Sequence, residues 1–443
     1  MLRNPLFSKT LIIFMLAVLL LIPLSMIQSK ISERKSLQYD VQQDIARSAS
    51  GPQTLGGPYL VLKYKLTERR TIKDKEGNEK IVTSTSYHNK VIPPQELKIG
   101  GNADVETRSR GIYQARLFNL RANVMGSFTV PRGYGINKFL KDITPIAAYF
   151  VVNMSDARGI SNVPVLTLDG KTYTFDPGSV RPVAGNGIHA SLKALRADSI
   201  HTLKFEFPLE LQGMTTLAVA PAGTTTEMAL KSSWPHPSFG GSYLPRTRAI
   251  DAKGFHAQWL ISNLARNDTG QIEQGRWEDA EKFSVDFIDP VNVYLLSERA
   301  VKYGILFIIL VFTAFFMFEM LRSLRIHPMQ YLLVGLALAI FFLLIISLSE
   351  HMPFLSSYII SGACCTALIG FYLAGVLKNY KSAFGFSGSI ALLYAVLYGV
   401  LQSEDNALLM GTLILFTALA AVMTLSRKMD WYRLGTFQAS SEE

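Results

Sequence analysis

Two kinds of hydrophobic pattern divide the chain. Leu11 to Ile27 is a nearly unbroken apolar run, and Gly304–Leu321, Tyr331–Ser349, Phe354–Leu377, Phe384–Leu401 and Ala407–Leu425 are five more. Each approaches the ~20 residues that a helix rising ~1.5 Å per residue needs to cross a ~30 Å hydrocarbon core. Buried soluble helices are rarely so long and uniformly apolar, so the runs predict membrane spans. Arg3 and Lys9 precede the first run, as in a signal peptide. That run is longer than a usual signal core, no small-residue cleavage site follows it, and Gln28–Lys35 reads as helix continuing into water. An uncleaved anchor is predicted.

Between the first and second runs, period two takes over. In Lys204-Phe-Glu-Phe-Pro-Leu-Glu-Leu211, Phe205, Phe207, Leu209 and Leu211 alternate with Glu206 and Glu210, which marks a half-buried strand. Further strands are predicted at Tyr59–Tyr64, Thr71–Lys73, Lys80–Tyr87, Ile112–Leu120, Ala147–Met154, Leu217–Ala220, Glu227–Leu230, Phe255–Ile261 and Phe283–Phe287. Lys75–Glu79 reads as a charged hairpin tip, and helices are expected over Lys30–Ser48 and Asn137–Lys141. Many short strands parted by Gly/Pro turns predict a sandwich-like arrangement. The predicted fold class is a membrane α-helical bundle of six transmembrane helices, one plus five, with a large β-rich periplasmic domain, sandwich-like. Its parts are a 1–30 anchor, a 31–300 periplasmic domain, and a 301–443 five-helix bundle ending in a cytoplasmic tail.

Charge gives the bundle a side. Arg3, Lys9, Arg322, Arg325, Lys378, Lys381, Arg427, Lys428 and Arg433 fall on one side of the short loops. The other loops carry Glu350-His351 and Glu404-Asp405 and no Lys or Arg. By the positive-inside rule both termini are cytoplasmic and residues 28–300 are periplasmic. The whole chain has 44 Lys+Arg against 34 Asp+Glu, 18% charged residues and a mean hydropathy of +0.22. Those averages exclude disorder and a plain cytosolic enzyme. The exported region holds 34 basic and 27 acidic residues with signs intermixed, which argues against nucleic-acid binding. The only cysteines, Cys364 and Cys365, lie inside the fourth span, so no disulfide framework is expected in the exported region.

Candidate chemistry is sparse. His236 and His256 flank the Pro/Gly-rich segment Trp234–Pro245, and Asp251 lies near them in sequence, but no zinc spacing, nucleophile elbow or P-loop is present. No cofactor and no metal are expected. Three prolines and two adjacent glycines predict an irregular ordered loop there, which offers two readings. It packs as a crossover over a sheet edge, or it forms a contact surface with Trp234, His236, Phe239, Tyr243, Phe255 and Trp259. In the membrane half, Glu319 is the ionisable residue within a span, and an i,i+3 pair with Arg322 accounts for it at the interface. His327-Pro328 opens the third span, and Glu350-His351 lies at the exported edge. Small-xxx-small spacing in Ala363–Ala367 and Gly370–Ala374 predicts close helix packing and a compact bundle.

Several strings in order resemble the CreD family of bacterial inner-membrane proteins. They are Ile31–Arg34, Asp44-Ile-Ala-Arg-Ser48, Gly51-Pro-Gln-Thr-Leu-Gly-Gly-Pro58, Arg110-Gly-Ile-Tyr113 and Asp156-Ala-Arg-Gly-Ile160. Trp234-Pro-His-Pro-Ser-Phe239, Gly254-Phe-His-Ala-Gln-Trp259, Arg325–Gly335 and Ser347–His351 follow. Leu62-Lys63 departs from the family's usual Val-Pro and Ala49 from its aromatic, and each is expected to alter a local turn. The resemblance implies a multi-pass inner-membrane protein tied to envelope integrity and envelope stress, without implying a reaction. The expected activity is non-enzymatic, with the lipid bilayer and an envelope protein or polymer as partners, and with the oligomeric state left open. A transporter or lipid-handling bundle is one alternative; a periplasmic hydrolase built on His236, His256 and Asp251 is the other.

Overall fold

The computed structural model describes residues 5–73, 79–136, 139, 142–183, 185–267, 276–289, 292–321, 326–377, 380–403 and 406–427. The expected helix Asn137–Lys141 apart from Phe139, most of the Lys75–Glu79 tip, and Glu404-Asp405 lie outside the described residues. The chain forms two units, one combining Met1–Gln38 with Val291–Glu443 and the other Tyr39–Pro290.

The first unit is helical. Its elements are α1 (Pro5–Leu19), α2 (Leu21–Ser48, which continues past this unit), α3 (Val293–Lys302), α4 (Gly304–Leu321), α5 (Pro328–Ser349), α6 (Phe354–Leu377), α7 (Tyr380–Gln402) and α8 (Ala407–Ser426). Among the described residues six helices are long and apolar enough to cross a membrane, α1 with α2 counting as one. Between α1 and α2 Leu20 keeps its own helical hydrogen bonds to Leu16 and from Leu24, and the missing rung is at Leu19, whose carbonyl faces Pro23, a residue without an N–H. Asn292 caps α3 by accepting from the backbone of Tyr294 and Leu295. Gly335 on α5 admits close packing, because a Cβ there would lie 2.2 Å from Leu20 and 2.9 Å from Phe312.

The bundle is less compact than the small residues predict. No residue from Leu409 to Ser426 in α8 is buried. Gly370 does approach α7 closely, since its Cβ would lie 2.5 Å from the Ser387 hydroxyl. Elsewhere the same small face, including Gly362, Ala363, Ala367 and Ala374, lines an open lateral groove of about 1120 Å³ between α6 and α7.

The second unit is a β-sandwich built from sixteen strands among the described residues. In chain order they are β1 (Gln53–Lys73), β2 (Glu79–Ile92), β3 (Glu96–Arg110), β4 (Tyr113–Val130), β5 (Ile143–Met154), β6 (Val165–Leu168), β7 (Lys171–Thr174) and β8 (Asp176–Pro177). Then come β9 (Gly187–Leu192), β10 (His201–Met214), β11 (Thr216–Ala220), β12 (Thr225–Ser232), β13 (Pro237–Gly241), β14 (Thr247–Asp251), β15 (Gly254–Ser262) and β16 (Phe283–Phe287). One sheet runs β13-β16-β11-β1-β5-β9-β8, with β2 also paired to β1; the other runs β14-β15-β12-β3-β4-β10-β6-β7. Most ladders are antiparallel, but β1–β11 and β12–β3 are parallel.

The sheets close on an aromatic core. Phe150 of the first sheet meets Phe128, Phe205 and Phe207 of the second at ring separations of 5.8, 5.2 and 5.7 Å. At another point Phe283 stacks on Trp259 at 5.1 Å. These offset and edge-on contacts are the favoured aromatic geometries. Strand β10 alternates as its sequence predicts, with Phe205, Phe207, Leu209 and Leu211 buried against exposed Glu206 and Glu210. Leu62-Lys63 sits inside β1, at a register shift against β5 between Lys63 and Tyr64, so the departure falls on a bulge and not on a turn.

Candidate functional site

The Pro/Gly-rich segment is more ordered than its composition predicts. Residues 237–241 form β13, which pairs antiparallel with β16 from Pro237↔Phe287 to Gly241↔Phe283. Proline is admissible there because β13 is an edge strand. Phe239 points between the sheets, with its ring 5.6 Å from Phe255 and 5.7 Å from Trp259. Phe255 and Trp259 are buried core and cannot form an exposed contact surface, which corrects that part of the expectation. Trp234 is half-buried; its indole N–H donates to the carbonyls of His236 and Ile288 at 3.1 Å, and the Arg116 guanidinium lies 5.1 Å over its ring. Arg116 in turn pairs with Asp289 at 2.7 Å. Tyr243 donates to the Glu281 carboxylate. Gly254 is required by its backbone at φ +136°, where a Cβ would lie 1.9 Å from the Ser232 carbonyl. The segment is thus a packed crossover, with His236 exposed on it.

The proposed hydrolytic trio does not assemble by hydrogen bonding. His256 sits on β15 opposite Lys231 and Ala249, and the Asp251 carboxylate accepts from the Lys253 backbone. Among the described residues no hydrogen bond joins His236, His256 and Asp251, and no group of three His, Cys, Asp or Glu side chains is placed to hold a metal ion.

A different cluster gathers at the end of α2. Asp156 and Arg158 form a two-pronged ion pair, Nε to Oδ1 at 2.9 Å and Nη2 to Oδ2 at 2.6 Å. Arg158 Nη1 donates to the Arg47 carbonyl at 2.7 Å, satisfying one of the open carbonyls in the last helical turn. Beneath them Gln53, fully buried, donates to the Ser50 hydroxyl at 2.6 Å and to the carbonyls of Asp156 and Gln212 at 2.8 and 3.1 Å. Gly159 closes the cluster, for a Cβ there would lie 2.3 Å from the Gln212 carbonyl and 2.4 Å from Gln53 Nε2. Arg110 pairs with Asp44 at 2.8 Å, and Gln42 donates to the Gln114 carbonyl at 3.2 Å. Ile45 and Ala49 pack on a small apolar cluster of Ala46, Ala115, Leu117 and Met214. The Arg158 hydrogen bonds hold the Asp156 carboxyl below the usual carboxylate range, against the opposing effect of burial. Sequence reasoning missed this junction, although four of the strings behind the family resemblance meet in it.

At the membrane-edge positions, Glu319 is buried to 1% exposure. Its described partners are Lys9 of α1, the Ile326 backbone N–H at 2.9 Å and the Tyr331 hydroxyl at 2.8 Å. Glu319 thus takes part in a buried pair that joins α1, α4 and α5; Arg322, its expected partner, lies outside the described residues. His327 caps α5, its Nδ1 accepting from the Met329 N–H while Gln330 accepts from the His327 N–H. On the far side Glu350 lies 3.5 Å from Arg34 and accepts from the Tyr294 hydroxyl at 3.4 Å. His351 is exposed beside it. Neighbouring Lys302 and Lys35 hold the Glu298 carboxyl below its ordinary value, chiefly through the Lys302 hydrogen bond.

A family model described as inner membrane protein CreD matches residues 5–432. The chain belongs to the CreD family. The inner membrane protein CreD of Escherichia coli (strain K12) is 38% identical over 448 residues, spanning 100% of this chain and 98% of that protein. Among solved structures, an M1 zinc metallopeptidase from Deinococcus radiodurans is 8% identical with a TM-score of 0.20, over 44% of this chain and 42% of that one. So slight a likeness carries no argument about fold or activity. Membership makes this a multi-pass inner-membrane protein, in keeping with its six apolar helices.

Proposed function

We propose that this protein supports cell-envelope integrity by binding other envelope components through its β-sandwich, without catalysis. In this reading residues 28–300 face the periplasm and both termini are cytoplasmic, which the nine basic residues on one side of the short loops support. The observation that carries the binding role is what the family-bearing strings do. Asp44–Ser48, Gly51–Pro58, Arg110–Tyr113 and Asp156–Ile160 converge on a junction that fixes a helix end to the sandwich. Investment in holding a domain rigid suits a platform for partners.

The test is complementation of a null strain under envelope stress. Full-length protein is expected to restore resistance, and the Asp156→Ala/Arg158→Ala chain to restore it poorly at equal membrane abundance. Full restoration by the double variant would remove the ground for this reading. Orientation is tested separately, with single cysteines at Ser199 or Arg427 in a chain lacking Cys364 and Cys365. A membrane-impermeant thiol reagent on intact cells with a permeabilised outer membrane is expected to label the first and not the second. The groove between α6 and α7 favours a second reading, lipid handling, in which an acyl chain lies between the helices. Neither Glu319 nor Glu350 lines that groove, so a proton-coupled version gains nothing from it.

A further inference from the structure

The edges of the two sheets are unequal. Terminal strands β8 and β7 have two and four residues, β13 has five beginning with Pro237, and β14 has five including Arg248 and Asp251. Short length, proline and charge are the usual devices against strand addition. Strand β2 is long, lacks proline and keeps its charged residues to its two ends. It runs 14 residues, pairs with β1 along its whole length, and has no strand on its other side among the described residues. From Ile81 to Asn89 it contains no charged residue, proline or glycine, and Ile81, Val82 and Tyr87 are 67%, 39% and 75% exposed. The β1–β5 ladder ends at Leu66, so Thr67–Lys73 with Glu79–Thr85 is a ribbon of only two strands. Such a ribbon is marginal by itself in water.

We propose that this edge pairs antiparallel with the same edge of a second copy of the chain, about a twofold axis at Ser84. Antiparallel partners must present the same backbone orientation to each other, so a strand pairing with itself has a residue on the axis. With Ser84 there, Ile81 faces Tyr87, Thr83 faces Thr85, and Lys80 faces His88. The two large exposed apolar side chains of each copy then cover those of the other as β-branched–aromatic pairs, one on each side of the axis. Centring on Thr85 would set Lys80 against Lys90, and centring on Thr83 would part Ile81 from Tyr87 and shorten the ladder. The contact is isologous and closes at two copies, joining two ribbons into four strands.

The register gives the test. Opposed antiparallel residues lie about 4.5–5.5 Å apart at Cα, within the span a disulfide bridges. In membranes holding the full-length chain with Cys364 and Cys365 replaced by Ala, mild oxidation of the Ser84→Cys protein is expected to link most of it as a homodimer. Ser199→Cys, exposed elsewhere on the sandwich, is expected to give several-fold less. Adding Ile81→Lys with Tyr87→Lys should abolish the Ser84→Cys link, and Ile81→Lys with Tyr87→Glu should restore it, because opposite charges then face across the axis. Protease resistance of the sandwich checks that each variant folds. The proposal is overturned by a Ser84→Cys yield no greater than that of Ser199→Cys, by a link indifferent to the paired lysines, or by a disulfide to a different protein.

Discussion

Replacing Lys9 by Met tests the buried pair on α4. Among the described residues the Glu319 carboxylate has three donors: Lys9, the Ile326 N–H and the Tyr331 hydroxyl. Met keeps the apolar stem and removes the cation described beside it. Stranding a buried charge costs about 3–5 kcal/mol, but among the described residues two neutral donors remain and Lys9 is itself 21% exposed, so the expected loss is about 2–3 kcal/mol. Glu319→Gln should cost less, about 1–2 kcal/mol, because the ammonium it leaves can reach water. The double variant Lys9→Met/Glu319→Leu leaves no charge behind and should return to within about 1 kcal/mol of the parent. The readout is thiol reactivity of Cys365, which is 2% exposed, during titration of the purified protein with SDS. A Lys9→Met midpoint indistinguishable from the parent, or a double variant weaker than Lys9→Met, would refute the reasoning.

The sandwich supports further expectations. Gly254→Ala places a Cβ 1.9 Å from the Ser232 carbonyl at φ +136°, and a loss of about 3 kcal/mol should appear as a lower Tm of the tryptophan-monitored transition. Trp259→Ala empties the space between Phe239 and Phe283 and should cost about 3–5 kcal/mol by the same measurement. Asp156 has a lower pKa folded than unfolded, so its pairing with Arg158 contributes fully at neutral pH and is lost as the pH falls through the folded value. Acid titration should therefore destabilise the parent at and below the ordinary carboxylate range, while Asp156→Asn starts weaker and varies less there.

The spans were legible because hydrocarbon imposes a length and a composition that few other settings demand. Gly304–Leu321 and Phe354–Leu377 match the helices residue for residue. Strands with clean alternation, such as β10, and the short apolar β16 were equally readable. Strand β3 was not, because Gly100-Gly101 and a polar C-terminal half hide its period. Segment 234–245 misled for a related reason: proline and glycine signal irregularity, yet an edge strand needs hydrogen bonds on one side only. The pairing of Glu319 with Lys9 lay out of reach of any local rule, since the two are 310 positions apart. The junction around Gln53 was visible only as separate strings, because the bonds from Gln53 to Asp156 and Gln212 and from Arg158 to Arg47 join residues more than a hundred positions apart.

The ladder of β1 also sets a schedule for biosynthesis. Gln53 pairs with Leu217, and β11 is in turn flanked by β16, whose last residue is Phe287. The first strand to leave the ribosome thus waits for nearly the last before its sheet is complete, and β3 waits likewise for β12. Pairings so distant in sequence close slowly. For most of its synthesis the sandwich is an open chain with Phe128 and Phe150 uncovered, and it becomes a native sandwich only as the next apolar helix is synthesised. Chaperones that hold unfinished β-sheet segments should therefore govern how much of this protein reaches the envelope.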